Sequence, residues 1–295
     1  MPSLPVQSGS QTPVHFEIRH ITRYQYSAPV HLGPHTVRLL PRSDGNQRLL
    51  DYRCTVTPEP EMQSNVLDAD GNQVTRLWFS GSTSGLRIDT ACRVETLQDN
   101  PHAYIVDTPA TSLPIPYDRN AVPLLGAYLE DDTATPAVAG LAARLAGQAA
   151  NRTLPFLDTL NGFLHHEIEK VVRDQGAPQS PEFTLTQRRG ACRDLATLFI
   201  AICRNRGIAA RFVSGYQARA ESRRERRYLH AWPEVYIPGG GWRGYDPSHG
   251  TAVADAHVAL AAASRAAGTL PVEGAFYGDG AHSSMDFELS IHTDG

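Results

Sequence analysis

Residues 14–97 alternate apolar and polar side chains in short runs: Val14-His15-Phe16-Glu17-Ile18, Thr22-Arg23-Tyr24-Gln25-Tyr26, Thr36–Leu40, Asp51–Val56 and Val74–Phe79. Turn-forming clusters such as Ser43-Asp44-Gly45-Asn46 and Asp70-Gly71-Asn72 punctuate them. A period of two broken by such turns predicts an antiparallel β-sandwich-like domain. From Asp99 to Pro123 the composition turns to Pro, Asn and Asp, so 98–135 reads as a linker. Tyr117, Leu124, Leu125 and Tyr128 are the residues available to tie it down. The period then changes. Thr135-Pro136 opens a helix with Val138, Leu141, Ala142, Leu145 and Ala149 on one face, and a second helix is expected from Leu154 to Val172. From Ala191 to Asn205 apolar residues cover nearly the whole circumference, the mark of a helix buried on all sides, and Gly207 supplies its stop. Ala210–Gln217 reads as a strand, and Tyr228–Ile237 with Gly241–Pro247 as a hairpin. The Ala-rich run 255–267 reads as a helix or extended loop, and Met285–Ile291 as a final strand.

Cys192 falls in the first turn of the buried helix, where free N–H groups and the positive end of the dipole favour an anion. Thiolates gain stability at such positions. A small buried hydrophobe is the other role open to it. The hairpin bears on the choice. If its loop is Pro238–Gly240, Ile237 faces Gly241 and Trp232 faces Asp246. His230 is then the diagonal neighbour of Asp246 on one face, roughly 7–8 Å away between backbones. A loop one residue longer or shorter would separate them. A nucleophilic thiol needs a base, and the base needs a group that fixes its tautomer. Cys192, His230 and Asp246 are those three types.

The segments GACRDLATLF, GIAARFVSGYQ, LHAWPEVYIPGGGW and YDPSHG, in this order, resemble the core of the transglutaminase-like superfamily. The resemblance implies an α+β fold with a papain-like core, a helix-borne Cys packed on an antiparallel sheet. It also implies Cys192 as nucleophile, His230 as base and Asp246 as orienter. Phe16–Leu97 is similar to the β-domain that precedes this core in bacterial members. On that basis the chain divides into a β-rich domain (14–97), a linker (98–135), a catalytic core (136–250) and a tail (251–295) whose strand returns toward the first domain. Two departures stand out. Pro233 lacks the N–H of an interior strand residue, which predicts an edge strand or a bulge. Ser248 follows Asp-Pro where threonine is commoner.

Length and charge narrow the field. The 295 residues suit one large or two ordinary domains, and a net charge of -4 gives no reason to expect nucleic acid or an acidic membrane as partner. The first residues show neither a basic start nor an apolar run, so no secretory signal is read there, and no eighteen-residue apolar stretch occurs. Cys54, Cys92, Cys192 and Cys203 follow no metal or disulfide spacing. A reduced, cytoplasmic protein is the expectation. His15, His20, His31 and His35 match no zinc pattern, and no acidic loop has calcium spacing, so no metal or organic cofactor is expected.

Other residues carry secondary readings. Gln187, five positions before Cys192, is a candidate oxyanion donor beside the Cys192 N–H, and a polar residue tied to backbone is the alternative. Asp194 suits the helix dipole rather than chemistry, because an acid there would raise the thiol pKa. Trp232 and Trp242 face the site in the hairpin register above, as lining of an acyl pocket or as core. The arginine-rich segment 219–227 is either a substrate-rim loop or a solvated turn. His165, His166, His249 and His257 receive no chemical role. The expected activity is thiol-dependent acyl transfer on peptide or protein amides, by hydrolysis or transamidation. An arylamine N-acetyltransferase-like enzyme and a non-catalytic binding module are the alternatives.

Overall fold

The computed structural model describes residues 13–173, 175–218 and 227–294. Five strands open the chain: β1 (Val14–Val37), β2 (Gln47–Thr57), β3 (Met62–Leu67), β4 (Gln73–Trp78) and β5 (Thr83–Thr96). No turn residue separates Val14–Ile18 from Thr22–Tyr26, and both runs belong to β1, which continues to Val37. The first half of β1 pairs with β5 and its second half with β4, giving the order β2-β5-β1-β4-β3. Two tail strands also pair with it: β14 (Ser283–Asp294) along the first half and β13 (Val272–Tyr277) along the second. The sandwich expected from the turn spacing is therefore one continuous curled antiparallel sheet. Its inner face buries Phe16, Ile18, Val30, Val37, Leu86, Ile88 and Val94.

The segment read as a linker is largely structured. It contains a 3-10 turn (Thr108–Thr111) and α1 (Ala121–Leu129). Tyr117 accepts a hydrogen bond from the Ala209 N–H (2.8 Å) and donates to the Tyr236 carbonyl (3.0 Å). Leu125 is buried, Tyr128 donates to Asp70, and Leu124 points to solvent. The Pro and Asn that gave this stretch its loop character lie mostly before α1, which is why the helix escaped the periodicity. Next come α2 (Pro136–Gln148) and α3 (Thr153–Glu167), whose predicted apolar faces are buried. α3 stops at Glu167, five residues before the expected Val172, and the chain turns into β6 (Glu169–Lys170). α4 (Pro181–Gln187), β7 (Arg189–Gly190) and α5 (Cys192–Asn205) follow, with β7 parallel to β6.

Beneath α5 lies a second sheet of β8 (Ala210–Gln217), β9 (His230–Ile237), β10 (Gly241–Asp246), β11 (Thr251–Ala252) and β12 (His257–Ala263), in the order β11-β10-β9-β8-β12. Leu195, Leu198, Phe199 and Ile202 of α5 join α2, α3 and the sheet in one core. Pro233 does not make β9 an edge: β9 is central, it shows no bulge, and its ladder with β10 spans Glu234–Ile237, leaving the proline outside it.

The Ala-rich run also departs from the expectation. Instead of a helix or loop it forms β12, buried at every position. Val258 and Leu260 enter the curled sheet's core while Ala259 and Ala262 pack with Trp232 and Val213. Burial on both faces overrides alanine's helix preference, since the strand is wedged where only small residues fit on one side. Its outer edge is closed by two side-chain amides of the curled sheet. Gln47 donates to the Ala259 carbonyl (2.9 Å) and accepts from the Ala259 N–H (2.7 Å). Asn72 does the same at Ala262 (2.9 and 2.8 Å). Each amide satisfies backbone groups that an edge strand would leave open. Among the described residues, no helix is long and apolar enough to cross a membrane.

Candidate active site

The nucleophile candidate sits where local sequence builds a rigid helix start. Ser180 caps α4 by accepting from the Phe183 N–H, and Arg188 then takes a left-handed conformation that turns the chain toward α5. Gly190 must lack a side chain, because a Cβ there would press against Asp194 and Thr184. Asp194, fully buried at the third position of α5, accepts from the N–H groups of Ala191 (2.8 Å) and Gln179 (2.8 Å) and from Arg173 (2.7 Å). Arg193 reaches back to the carbonyls of Arg173 and Gln175. The helix N-terminus is thereby fixed, with Cys192 partly exposed in its first turn. Asp194 has the structural and dipole role its position predicts.

His230 opens β9 opposite Gly215 of β8. Gly215 is needed there: a Cβ would collide with the Val258 carbonyl and the Trp232 ring. Ile237 faces Gly241, the register set by a three-residue loop, and His230 and Asp246 come together. His230 Nε2 lies 2.8 Å from Asp246 Oδ2, and the ring lies near enough to Cys192 to lower its pKa. With Nε2 on the carboxylate, Nδ1 is the atom left for the sulfur.

Asp246 is fully buried and takes four donors. His230 Nε2 (2.8 Å), His249 Nδ1 (2.8 Å) and His257 Nε2 (2.9 Å) all reach Oδ2, and the Ser248 N–H reaches Oδ1 (3.0 Å). Burial alone would raise its pKa, but the His230 charge and the imidazole hydrogen bonds outweigh it and hold the carboxyl well below the usual range. An ionised carboxylate only accepts, so each facing nitrogen bears its proton. For His230, burial opposes the cation but Asp246 and Cys192 overcome it, pushing the pKa up to about 10. For Cys192, burial opposes the thiolate and is overcome by the hydrogen bond and charge of His230 and by the Ala231 N–H, so its pKa falls. The two shifts run in the directions that a thiolate–imidazolium pair would require.

The remaining sequence candidates lie around this centre. Trp232 is buried beside His230, ring centroids 6.1 Å apart. Trp242, partly exposed, is stacked under the Arg211 guanidinium at 4.1 Å, and Arg211 pairs with Glu234. Both tryptophans line a small cavity between the curled sheet and the core, with Gln47, Gln98, Glu234 and His257; neither Cys192 nor His230 lines it. Gln187 is exposed at the end of α4. Residues 219–226 of the arginine-rich segment lie outside the described residues, and Arg227 donates to the Ala218 carbonyl (2.9 Å). His165 faces the Pro247 carbonyl, while His20, His31 and His35 bond Tyr216 or backbone carbonyls, so all four are tied into the fold.

His249 and His257 carried no role in the sequence, yet both contact Asp246. His249 is three residues beyond the aspartate in a turn, a local signal that was readable. His257 arrives from β12, and no spacing announces it. The nitrogen and oxygen atoms of His230, Asp246 and His249 fall within 4.8 Å of one another, close enough to suggest a metal site by proximity alone. Their 2.8 Å separations are those of proton-mediated contacts, so the group as folded is closed by hydrogen bonds.

Comparisons with known proteins bear on family and fold. An uncharacterised protein of Mycobacterium leprae is 25% identical over 282 residues, covering 92% of this chain and 96% of its own. One from Mycobacterium tuberculosis is 24% identical over 301 residues, covering 98% and 95%. A solved structure, a candidate cysteine protease from Cytophaga hutchinsonii, superposes with a TM-score of 0.73 at 21% identity, covering 96% of this chain and 91% of that one. The fold is thus shared end to end. Residues 16–95 match the bacterial transglutaminase-like N-terminal region and residues 139–247 the transglutaminase-like superfamily core, so the chain belongs to the transglutaminase-like superfamily and carries the N-terminal region of its bacterial members.

Proposed function

We propose that the protein is a thiol enzyme that cleaves amide bonds of peptides or proteins through a Cys192–His230–Asp246 triad and a thioester intermediate. The observation that carries this reading is the place of His230, hydrogen-bonded to buried Asp246 (2.8 Å) and electrostatically coupled to Cys192 at a helix N-terminus. In this mechanism the Cys192 thiolate adds to the substrate carbonyl, and the oxyanion meets the Cys192 N–H. His230 Nδ1–H protonates the departing amine as the C–N bond breaks, leaving the acyl group on sulfur. Water then attacks the thioester while His230 takes its proton. Carboxylic acid departs and the pair is restored. Asp246 keeps His230 oriented and stabilises the imidazolium throughout.

Hydrolysis is the favoured resolution over transfer to an amine, because water is abundant and transfer requires a second site for the amine. The test is incubation with glutamine-containing peptides and peptide amides, with and without a fluorescent primary amine. The reading expects ammonia or a new carboxyl terminus, lost in Cys192→Ala. Incorporation of the amine in preference to hydrolysis would reassign the enzyme as a transamidase. Absence of either reaction across a broad peptide library, with Cys192 unreactive, would remove the enzymatic reading.

A further inference from the structure

We propose that His257 is a positioning residue of the triad, and that the N-terminal sheet holds it in place through the Gln47 and Asn72 amides on β12. This rests on the triad reading above. His257 is buried, and its Nε2 shares one carboxylate oxygen with the Nε2 of His230 (2.9 and 2.8 Å). Because that oxygen belongs to an ionised carboxylate, His257 carries its proton on Nε2. Its Nδ1 is buried with no hydrogen-bond partner. A proton placed there would be an unpaired buried donor, and its charge would stand near the His230 imidazolium, ring centroids 6.1 Å apart. The ring is therefore a neutral donor of one fixed tautomer. The groups facing it are His230 of β9, Asp246 of β10 and His249 of the following turn.

A neutral donor suits this position. It adds a third imidazole donor to Oδ2 beside His230 and His249, further restricting the carboxylate, and it adds no charge that competes with His230. Orientation of His230 depends on that carboxylate, since Asp246 is the partner of its Nε2. The placement of His257 is itself imposed from outside the core. Two residues along β12, Gln47 of the curled sheet pairs with both backbone groups of Ala259, and Asn72 pairs with both at Ala262. The Arg42 N–H also donates to the Ala259 carbonyl (3.0 Å). The N-terminal sheet thus forms the outer wall of the site.

The direct test combines Cys192 alkylation against pH with histidine NMR on the full chain. In wild type, long-range proton–nitrogen spectra of labelled histidine should show, beside neutral His20, a second imidazole held neutral with its proton on Nε2 from pH 5 to 8. Its loss in His257→Gln assigns it. His257→Phe keeps a ring but removes the donor. Its thiolate midpoint is expected to move to higher pH by about one unit, roughly a tenfold loss of reactive thiolate on the acid side. His257→Gln, whose amide N–H reaches the same oxygen, should recover most of it, and Gln47→Ala should move the midpoint part of the way. A purely structural role would lower the melting temperature and leave the midpoint unmoved in every variant. That result, or a His257 that titrates between pH 5 and 8 in wild type, overturns the proposal. If wild-type Cys192 itself titrates as an ordinary thiol, the triad reading fails instead. The two failures are distinct, and the spectra of wild type remain decisive should His257→Phe not fold.

Discussion

Asp246 carries the largest electrostatic load of any side chain described at the site. Replacing it by Asn keeps the shape but removes the anion and presents an N–H₂ group to donors that need an acceptor. His230 then loses what raises its pKa to about 10, and the thiolate loses its cation. Turnover of Asp246→Asn is predicted to drop by on the order of 10³-fold or more, read as steady-state hydrolysis of the best peptide amide. The same pair sets the pH dependence. The thiolate–imidazolium form persists above the lowered Cys192 pKa and below about 10, so kcat/KM should rise on the acid side, stay level through neutrality and fall as His230 loses its proton. Much of this centre was legible in the residues. Cys192 is marked by its place at a helix start, and the His230–Asp246 pair by a hairpin whose loop Pro238–Gly240 fixes the register. His257 was not, because its partner depends on a crossover from β12 beside β8 that no local pattern encodes.

At the scale of elements, β12 shows how tertiary context overturns a local preference. Seven consecutive residues, four of them alanine, would favour a helix in isolation, and only the slot between β8 and the curled sheet makes them a strand. The curled sheet itself was legible by alternation, but its division into strands was not. β1 runs through Pro29 and Gly33, where turns would be expected, because its two halves pair with different neighbours. The amides that close the β12 edge give a quantitative prediction. Gln47→Ala strands the buried Ala259 N–H while the Ala259 carbonyl keeps the Arg42 N–H, which should cost about 1–3 kcal/mol in urea denaturation. Exposed Gln63, on the outer strand β3, serves as the control, with Gln63→Ala expected within about 0.5 kcal/mol of wild type.

Across the whole molecule, the curled sheet and the core share one apolar layer, with Tyr216, Val258 and Leu260 of the core inside the sheet's cluster. A buried polar contact crosses the same boundary: His20 of β1 bonds the Tyr216 hydroxyl of β8 at 3.1 Å. Burial pushes His20 down to about 4, so the folded protein keeps it neutral. The sign follows from proton uptake. Between pH 6.5 and 4 the unfolded chain binds a proton that the folded chain refuses, so stability falls as pH drops through that window. His20 alone should contribute a loss of about 3 kcal/mol between pH 7 and 4. Thermal melts of wild type and His20→Gln across this range check it, the variant showing the shallower decline. Long-range tail pairing completes the sheet: β14 lies along twelve residues of β1, from His15 to Tyr26.

The central claim is the activated thiol, and the rate of Cys192 alkylation by iodoacetamide from pH 4 to 10, in wild type and His230→Ala, tests it most directly. Alkylation must be assigned to Cys192 by peptide mapping, since Cys54 is also partly exposed. The account predicts a wild-type midpoint well below the ordinary thiol value of about 8.5. In His230→Ala the midpoint should move up past that value, because burial then acts on the sulfur without an opposing cation. A wild-type Cys192 that titrates as an ordinary thiol, or one whose profile is unchanged by His230→Ala, would contradict the account.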